Sequence, residues 1–275
     1  MHMRLVSVYA AASAACTRIF IGLIGALVVA GSLPAQQEPE PVVGAELHSL
    51  NRSLSIKDGA RVVVVNPHGS VRIREIPLQA TPEFRVALQT EAGVESPADL
   101  LVEPFEGGVR LAIEAAADGR LTREQGFLRA DFVIGLPDRF ALEVQMIDGS
   151  FTMHAASYPV KLRARSGSLN LRTTGALDVE IFQGHVVVQQ GRGEAPIAGG
   201  RVQTSGAPVD VLGADLGRVN YETLSGAAVT TDSAAMLDAR VQDGRRYRFV
   251  GDPDNPTLSI QTDAAPIRLV VEGIR

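Results

Sequence analysis

The chain has no tryptophan, a single cysteine, and only four tyrosines and nine phenylalanines among its 275 residues. One cysteine, Cys16, excludes a disulfide framework, so stability has to come from a packed core. Paired His/Cys spacings of the kind that hold zinc are absent, as is the repeated glycine–aspartate nonapeptide that binds Ca²⁺. No G-x-S-x-G nucleophile motif or phosphate loop of the Walker type appears. Gly191-Arg192-Gly193 is glycine-rich, but without a strand-to-helix context it reads as a loop. His68, His154 and His185 take different positions relative to their nearest glycines, so they share no metal-binding position. No cofactor is implied. Basic residues are also outnumbered, 26 against 31 acidic ones, for a net charge of −5. That balance argues against non-specific nucleic-acid binding and against docking on anionic lipid.

Aliphatic residues and glycine are abundant, and they are patterned. Hydrophobic residues make up 45% of the chain, enough for a sizeable core. In the second half a strand–turn–strand unit recurs around Gly149, Gly167, Gly184, Gly206, Gly226 and Gly244, at spacings of 18, 17, 22, 20 and 18 residues. Seven, five and three residues before the glycine, apolar side chains alternate with polar ones. Val160, Leu162 and Ala164 precede Gly167; Leu177, Val179 and Ile181 precede Gly184. Val219, Tyr221 and Thr223, then Leu237, Ala239 and Val241, take the same places before Gly226 and Gly244. This period of two marks half-buried strands. A second strand follows each glycine, as with Phe151 and Met153, Leu169 and Leu171, and Val186 and Val188. Glycine supplies the backbone freedom that a sharp turn requires. The unit around Gly206 is the least regular, because Gly199, Gly200 and Pro208 disturb its alternation.

A repeat near twenty residues that carries strand chemistry points to an all-β parallel β-helix or β-solenoid, with coils of about 17–22 residues. An antiparallel meander is the competing architecture, and the Asp148-Gly149 and Asp243-Gly244 pairs would suit its hairpins. Charge favours the parallel stack. Outward residues at equivalent positions change sign from Glu143 to Lys161 to Asp178, so in-register stacking makes them attractive neighbours.

Residues 1–35 read as an export signal, with Arg4 and Arg18, an apolar run from Ile19 to Ala30, and small residues leading to Ala35. The same segment also reads as an uncleaved anchor of near-minimal spanning length, and Cys16 as a lipoprotein site. Cleavage after Ala35 leaves 24 basic against 31 acidic residues, a net charge of −7. Residues 36–46, rich in Gln, Glu and Pro, read as a flexible tether. Residues 47–130 are an irregular β-rich portion continuous with the regular solenoid of residues 131–275. Within it, Val62–Val65 runs through Gly69 into Val71–Arg74 as a first copy of the unit. The stretch from Ala115 to Arg129 reads as loop. Leu258–Ile260 and Ile267–Val271 read as the closing strands.

Two segments carry a family resemblance. The run from Val64 to Ile73 contains Asn66-Pro67-His68-Gly69-Ser70, and Phe132–Phe140 contains Gly135-Leu136-Pro137-Asp138-Arg139. Together with the export signal and the Gly-Ser and Gly-Ala turns, they resemble the bacterial DUF4097 family of candidate adhesins, related to the head-domain proteins of autotransporter adhesins. The resemblance spans most of residues 55–272. It implies a β-helix-like solenoid in an exported envelope protein, and it carries over no catalytic or binding residues.

The candidate contact residues therefore come from the chain alone. Lys161, Arg163, Asp178 and Glu180 sit at matching outward positions of adjacent units. They read either as a cluster for acid–base work on a glycan or as the solvated side of paired strands. Arg245, Arg246 and Arg248, interleaved with Tyr247 and Phe249, read as a contact for an acidic glycan or a carboxylate. They also read as a strand with its aromatics inward and its arginines in water. The expectation is a non-enzymatic envelope protein that binds another envelope protein or a glycan through its strand faces. It would lie in the periplasm or be displayed at the surface, touching the membrane only through an uncleaved N-terminal segment. The alternatives are a polysaccharide lyase or hydrolase using Asp178 and Glu180, and an envelope-stress accessory protein with membrane partners.

Overall fold

Alternation of apolar and polar residues produces strands throughout the structure, a computed structural model that describes residues 45–53, 56–93, 98–115, 127–190 and 195–271. The signal or anchor segment, residues 36–44 of the tether, and Gly191-Arg192-Gly193 lie outside the described residues. Among the described residues, seventeen strands join in one mixed sheet that is not closed into a barrel. They are β1 (Ala45–Ser53), β2 (Arg61–Glu75), β3 (Glu83–Glu91), β4 (Ala98–Phe105), β5 (Gly108–Ala115), β6 (Phe127–Leu136), β7 (Ala141–Ala156), β8 (Val160–Thr173) and β9 (Leu177–Gln189). They continue with β10 (Gly200–Thr204), β11 (Val209–Leu212), β12 (Asn220–Ser225), β13 (Val229–Thr231), β14 (Arg240–Asp243), β15 (Arg246–Phe249), β16 (Thr257–Thr262) and β17 (Ile267–Val270). A short helix, α1 (Ala234–Asp238), lies between β13 and β14.

Four long strands, β2, β7, β8 and β9, pair side by side in parallel. Their register places Gly69 against Gly149, Gly149 against Gly167, and Gly167 against Gly184. The glycines are not turns between strands, as the sequence pattern suggests, but sit inside continuous strands at φ values of 123°, 145°, 142° and 124°. A Cβ built on Gly149, Gly167 or Gly184 would lie 1.7–1.9 Å from the carbonyl oxygen of the preceding glycine. Only glycine fits that column. Its positive φ also changes which face points inward. Val160 and Leu162 are buried before Gly167, and Leu169 and Leu171 after it, so the alternation slips by one residue there and both halves face one core.

The two halves of the long strands belong to two ladders. In the first, the order is β4–β5–β2–β7–β8–β9–β10–β16–β12–β15–β14. In the second it is β1–β3–β6–β2–β7–β8–β9–β11–β17–β13. Pairing is parallel through the middle and antiparallel toward the ends, at β1–β3–β6, β4–β5 and β12–β15–β14. The inward residues stack in layers across strands. Leu111, Val64, Val144, Leu162, Val179, Val202 and Ile260 form one fully buried row, and Phe132, Val71, Phe151, Leu169, Val186, Val209 and Ile267 another.

Past Gly184 the repeat departs from the sequence reading. At Gly206 the long strand is broken into β10 and β11, and a Cβ there would meet nothing closer than 3.7 Å. Gly226 lies beyond the end of β12 against the carbonyl of Asp263, and Gly244 (φ 59°) closes the β14–β15 hairpin. Leu237 is not on a strand but on α1, where Ser233 caps the helix by accepting from the Met236 N–H. Ala234, Ala235, Met236 and Leu237 are good helix formers behind a serine cap, which here outweighs the alternating pattern. Leu237 and Val241 are left exposed. The strands at Leu258–Ile260 and Ile267–Val270 do not close the stack; β16 and β17 are inserted between β10/β11 and β12/β13. Ala45 and Glu46 begin β1 rather than ending the tether, and Phe127–Arg129 begin β6 rather than ending a loop.

Candidate functional site

The outward charges of the first ladder meet as neighbours. Glu143 is opposite Lys161, Lys161 opposite Asp178, and Asp178 opposite Arg201. Lys161 Nζ lies 3.2 Å from Glu143 Oε1, and Arg61 approaches the other oxygen at 3.4 Å. Arg163 bridges two carboxylates, with Nη2 at 2.8 Å from Asp178 and Nε at 3.0 Å from Glu180, while Arg201 reaches Asp178 at 3.1 Å. The charges thus neutralise one another along the strand faces.

That pairing sets the protonation of the carboxylates. The hydrogen bond from Arg163 holds the Asp178 carboxyl below its usual range, against a partial burial penalty and with help from Arg201. Burial alone would raise the Glu143 carboxyl, but its hydrogen bonds to Lys161 and Gln145 and the Lys161 and Arg61 charges bring the net shift down. A general acid for glycoside cleavage needs the opposite, a carboxyl kept protonated near neutral pH. Asp178 is held as an anion.

The arginine-rich strand splits between its two readings. Phe249 is buried and Tyr247 half-buried, while Arg245, Arg246 and Arg248 are exposed. Arg246 pairs with Glu222 at 3.4 Å, and Arg240 lies over the Tyr247 ring at 5.6 Å. These arginines are remote in register from Lys161 and Arg163, separated by β9, β10, β16 and β12. Of the histidines, His185 Nε2 lies 3.0 Å from Asp210, whose carboxylate also receives Arg268.

A groove lies beside the glycine column, centred on residues the sequence reading passed over. Pro67, Ile147, Arg165 and Phe182 each stand two residues before their glycine, and the ladder register skips all four. Their side chains form one wall feature of a groove of about 850 Å³ that crosses β2, β7, β8, β9 and β10. Val65, Met146, Ala164 and Ile181 contribute apolar lining, and Gln145, Arg163, Glu180, Gln203 and Ser205 the polar part. Ile147 is 46% and Phe182 55% exposed, two large apolar side chains at equivalent positions in one groove. Between them, Arg165 is exposed and forms no ion pair or hydrogen bond among the described residues. The signal that could have revealed them is the slip in alternation, since an apolar residue two before the glycine is forced outward.

Comparison with known proteins adds a likeness of shape. No family model matches the chain, the DUF4097 resemblance of its sequence included, and no curated protein matches it. Among solved structures, a candidate cell adhesion protein from Clostridium sporogenes is 13% identical, with 82% of this chain and 99% of that one covered and a TM-score of 0.46. Candidate adhesins from Parabacteroides merdae and Bacteroides fragilis are each 8% identical, cover 82% of this chain and 97% of theirs, and give TM-scores of 0.32 and 0.35. At those scores the function has to be argued from this chain's own residues.

Proposed function

We propose that the protein is a non-enzymatic binding protein of the cell envelope, an exported β-solenoid of the DUF4097 type that holds a partner against the groove beside its glycine column. The observation that carries this reading is the exposure of Ile147 and Phe182 on either side of an unpaired Arg165, in a groove spanning five strands. Such surface is costly to leave in water and is characteristic of contact sites. The parallel ladder that flanks it on both sides of the skipped position is in register, which provides the rigid support a binding site needs. The glycan-enzyme alternative is weakened by Arg163 bridging both acids. The same rigidity suits an adhesin-like or scaffold role in the periplasm or at the surface.

The test is a photo-crosslinking residue placed at position 182 in the native host, with the same residue at exposed Leu78 as control. Adducts specific to position 182 are expected. Equal labelling from both positions would sink the reading. Protease treatment of intact cells, with lysed cells as control, then separates the two locations: digestion means surface display, and protection until lysis means the periplasm.

A further inference from the structure

We propose that the groove beside the glycine column is a fatty-acid site, in which an aliphatic chain lies across the strands and its carboxylate meets Arg165. This deepens the binding reading above and rests on it. Three observations on the groove select the ligand class.

The first is charge. The groove has two guanidinium groups, and one is already satisfied: Arg163 is held by Asp178 and Glu180 at 2.8 and 3.0 Å. Arg165 is not, so the open valence of the site is a single positive charge between two apolar side chains. One anionic group attached to an apolar body complements it. A doubly charged or fully polar ligand would leave Ile147 and Phe182 in contact with its hydration shell.

The second is the nature of the floor. The strands crossed by the groove lie inside the sheet rather than at its edge, flanked by ladder pairing before and after the skipped positions Pro67, Ile147, Arg165 and Phe182. A peptide laid over this floor would find no sheet edge to pair with, and its amide groups would be desolvated against Ile147 and Phe182 without partners. That costs more than the side chains recover. An alkyl chain has no such groups to satisfy.

The third is shape. The groove crosses five strands, and at about 4.8 Å between neighbouring strands it runs roughly 19 Å. On the β2 and β7 side of Arg165 the groove is lined by Val65, Pro67, Met146 and Ile147 with Gln145 as the polar member, whereas the β10 side ends in Gln203, Thr204 and Ser205. The tail therefore runs from Arg165 toward β2. From Arg165 to β2 the groove covers two strand spacings, about 10 Å, the scale of a medium-chain acid.

The experiment is isothermal titration calorimetry of the purified protein with sodium dodecanoate below its micellar concentration, with dodecanol-derived neutral amphiphile (dodecyl maltoside below micellisation) as the uncharged probe. Dodecanoate is expected to bind with a Kd of roughly 100 μM or tighter. Arg165→Gln should weaken it about tenfold, and Arg165→Lys much less, because the lost contact is a charge-assisted one. Ile147→Ala should weaken both probes. Both side chains are exposed at their sites, and an unchanged circular dichroism spectrum confirms the fold. No heat at millimolar dodecanoate, equal affinity of the Arg165→Gln variant, or equal affinity for the neutral probe each overturns the proposal. If dodecanoate fails while position 182 still gives specific crosslinks in cells, the ligand class is wrong and the groove remains a contact site. If both fail, the binding reading falls with it.

Discussion

At the scale of single residues, the tightest constraint is the column of glycines. Gly167 has φ 142°, and a methyl group there would sit 1.9 Å from the Gly149 carbonyl oxygen, which the ladder holds in place. Neither strain nor clash can relax without opening the β7–β8 pairing, so Gly167→Ala should cost about 3 kcal/mol or more. Gly206→Ala is the matched control, with nothing nearer than 3.7 Å and no positive φ, and should change stability by less than about 1 kcal/mol. Urea denaturation of the two variants measures the contrast; equal effects would refute the packing argument. The paired carboxylates make a second residue-scale prediction. Asp178 titrates lower in the folded than in the unfolded chain, chiefly because of its bond from Arg163. Its contribution is therefore fully present above the unfolded carboxylate range and is lost as pH falls through the folded pKa. Asp178→Asn should be slightly less stable at pH 7, by at most about 1 kcal/mol because the pair is partly solvated. The variant should lose less stability than the parent between about pH 4.5 and pH 3. Denaturation midpoints measured across that window check the sign.

At the scale of elements, the charge row shows how neighbouring strands select their register. Lys161 stands between Glu143 and Asp178, so Lys161→Glu would put three acids in adjacent rungs. Destabilisation of about 1–2 kcal/mol is expected, shrinking as salt is raised. A loss that is independent of salt would mean that packing of the lysine stem, not charge, is what matters. This row was legible in the sequence because outward positions on parallel strands repeat at a fixed distance from Gly149, Gly167 and Gly184. The groove was not, because Ile147, Arg165 and Phe182 occupy the position where alternation slips, and a period of two assigns them no face. Beyond Gly206 the pattern misled for a different reason. Leu237, Ala239 and Val241 alternate as a strand would, but five residues are too few for alternation to outweigh a Ser233 cap and a run of helix formers. On the arginine strand Phe249 is buried and Tyr247 half-buried, and nothing local revealed that its partners would be the antiparallel β12 and β14.

At the scale of the whole molecule, chain order and spatial order part company at the carboxy-terminal end, and that has a consequence for folding. The strands β16 and β17 are the last in sequence but lie between β10/β11 on one side and β12/β13 on the other. Ile260 is fully buried in the row that links Val202 to Thr223, and Ile267 links Val209 to Val229. Removing residues 253–275 therefore takes out an inner layer, leaving β12 and β13 with no parallel neighbour and β10 and β11 with one bare edge each. Stability in a layered β structure passes from neighbour to neighbour, so a missing inner layer uncouples everything beyond it. The truncated protein should keep slow amide exchange in β7, β8 and β9 while α1 and β12–β15 exchange freely and are cut by protease. Had these strands closed the stack, the same truncation would have stripped only an outer layer, and β12 would stay protected. Hydrogen exchange at Tyr221 and Thr223 distinguishes the two outcomes. Retained protection there would mean that β12 holds to β10 without the inserted strands. The insertion also makes the last pairings long-range, because β10 cannot acquire its second neighbour until the terminal segment is available, and such pairings form slowly.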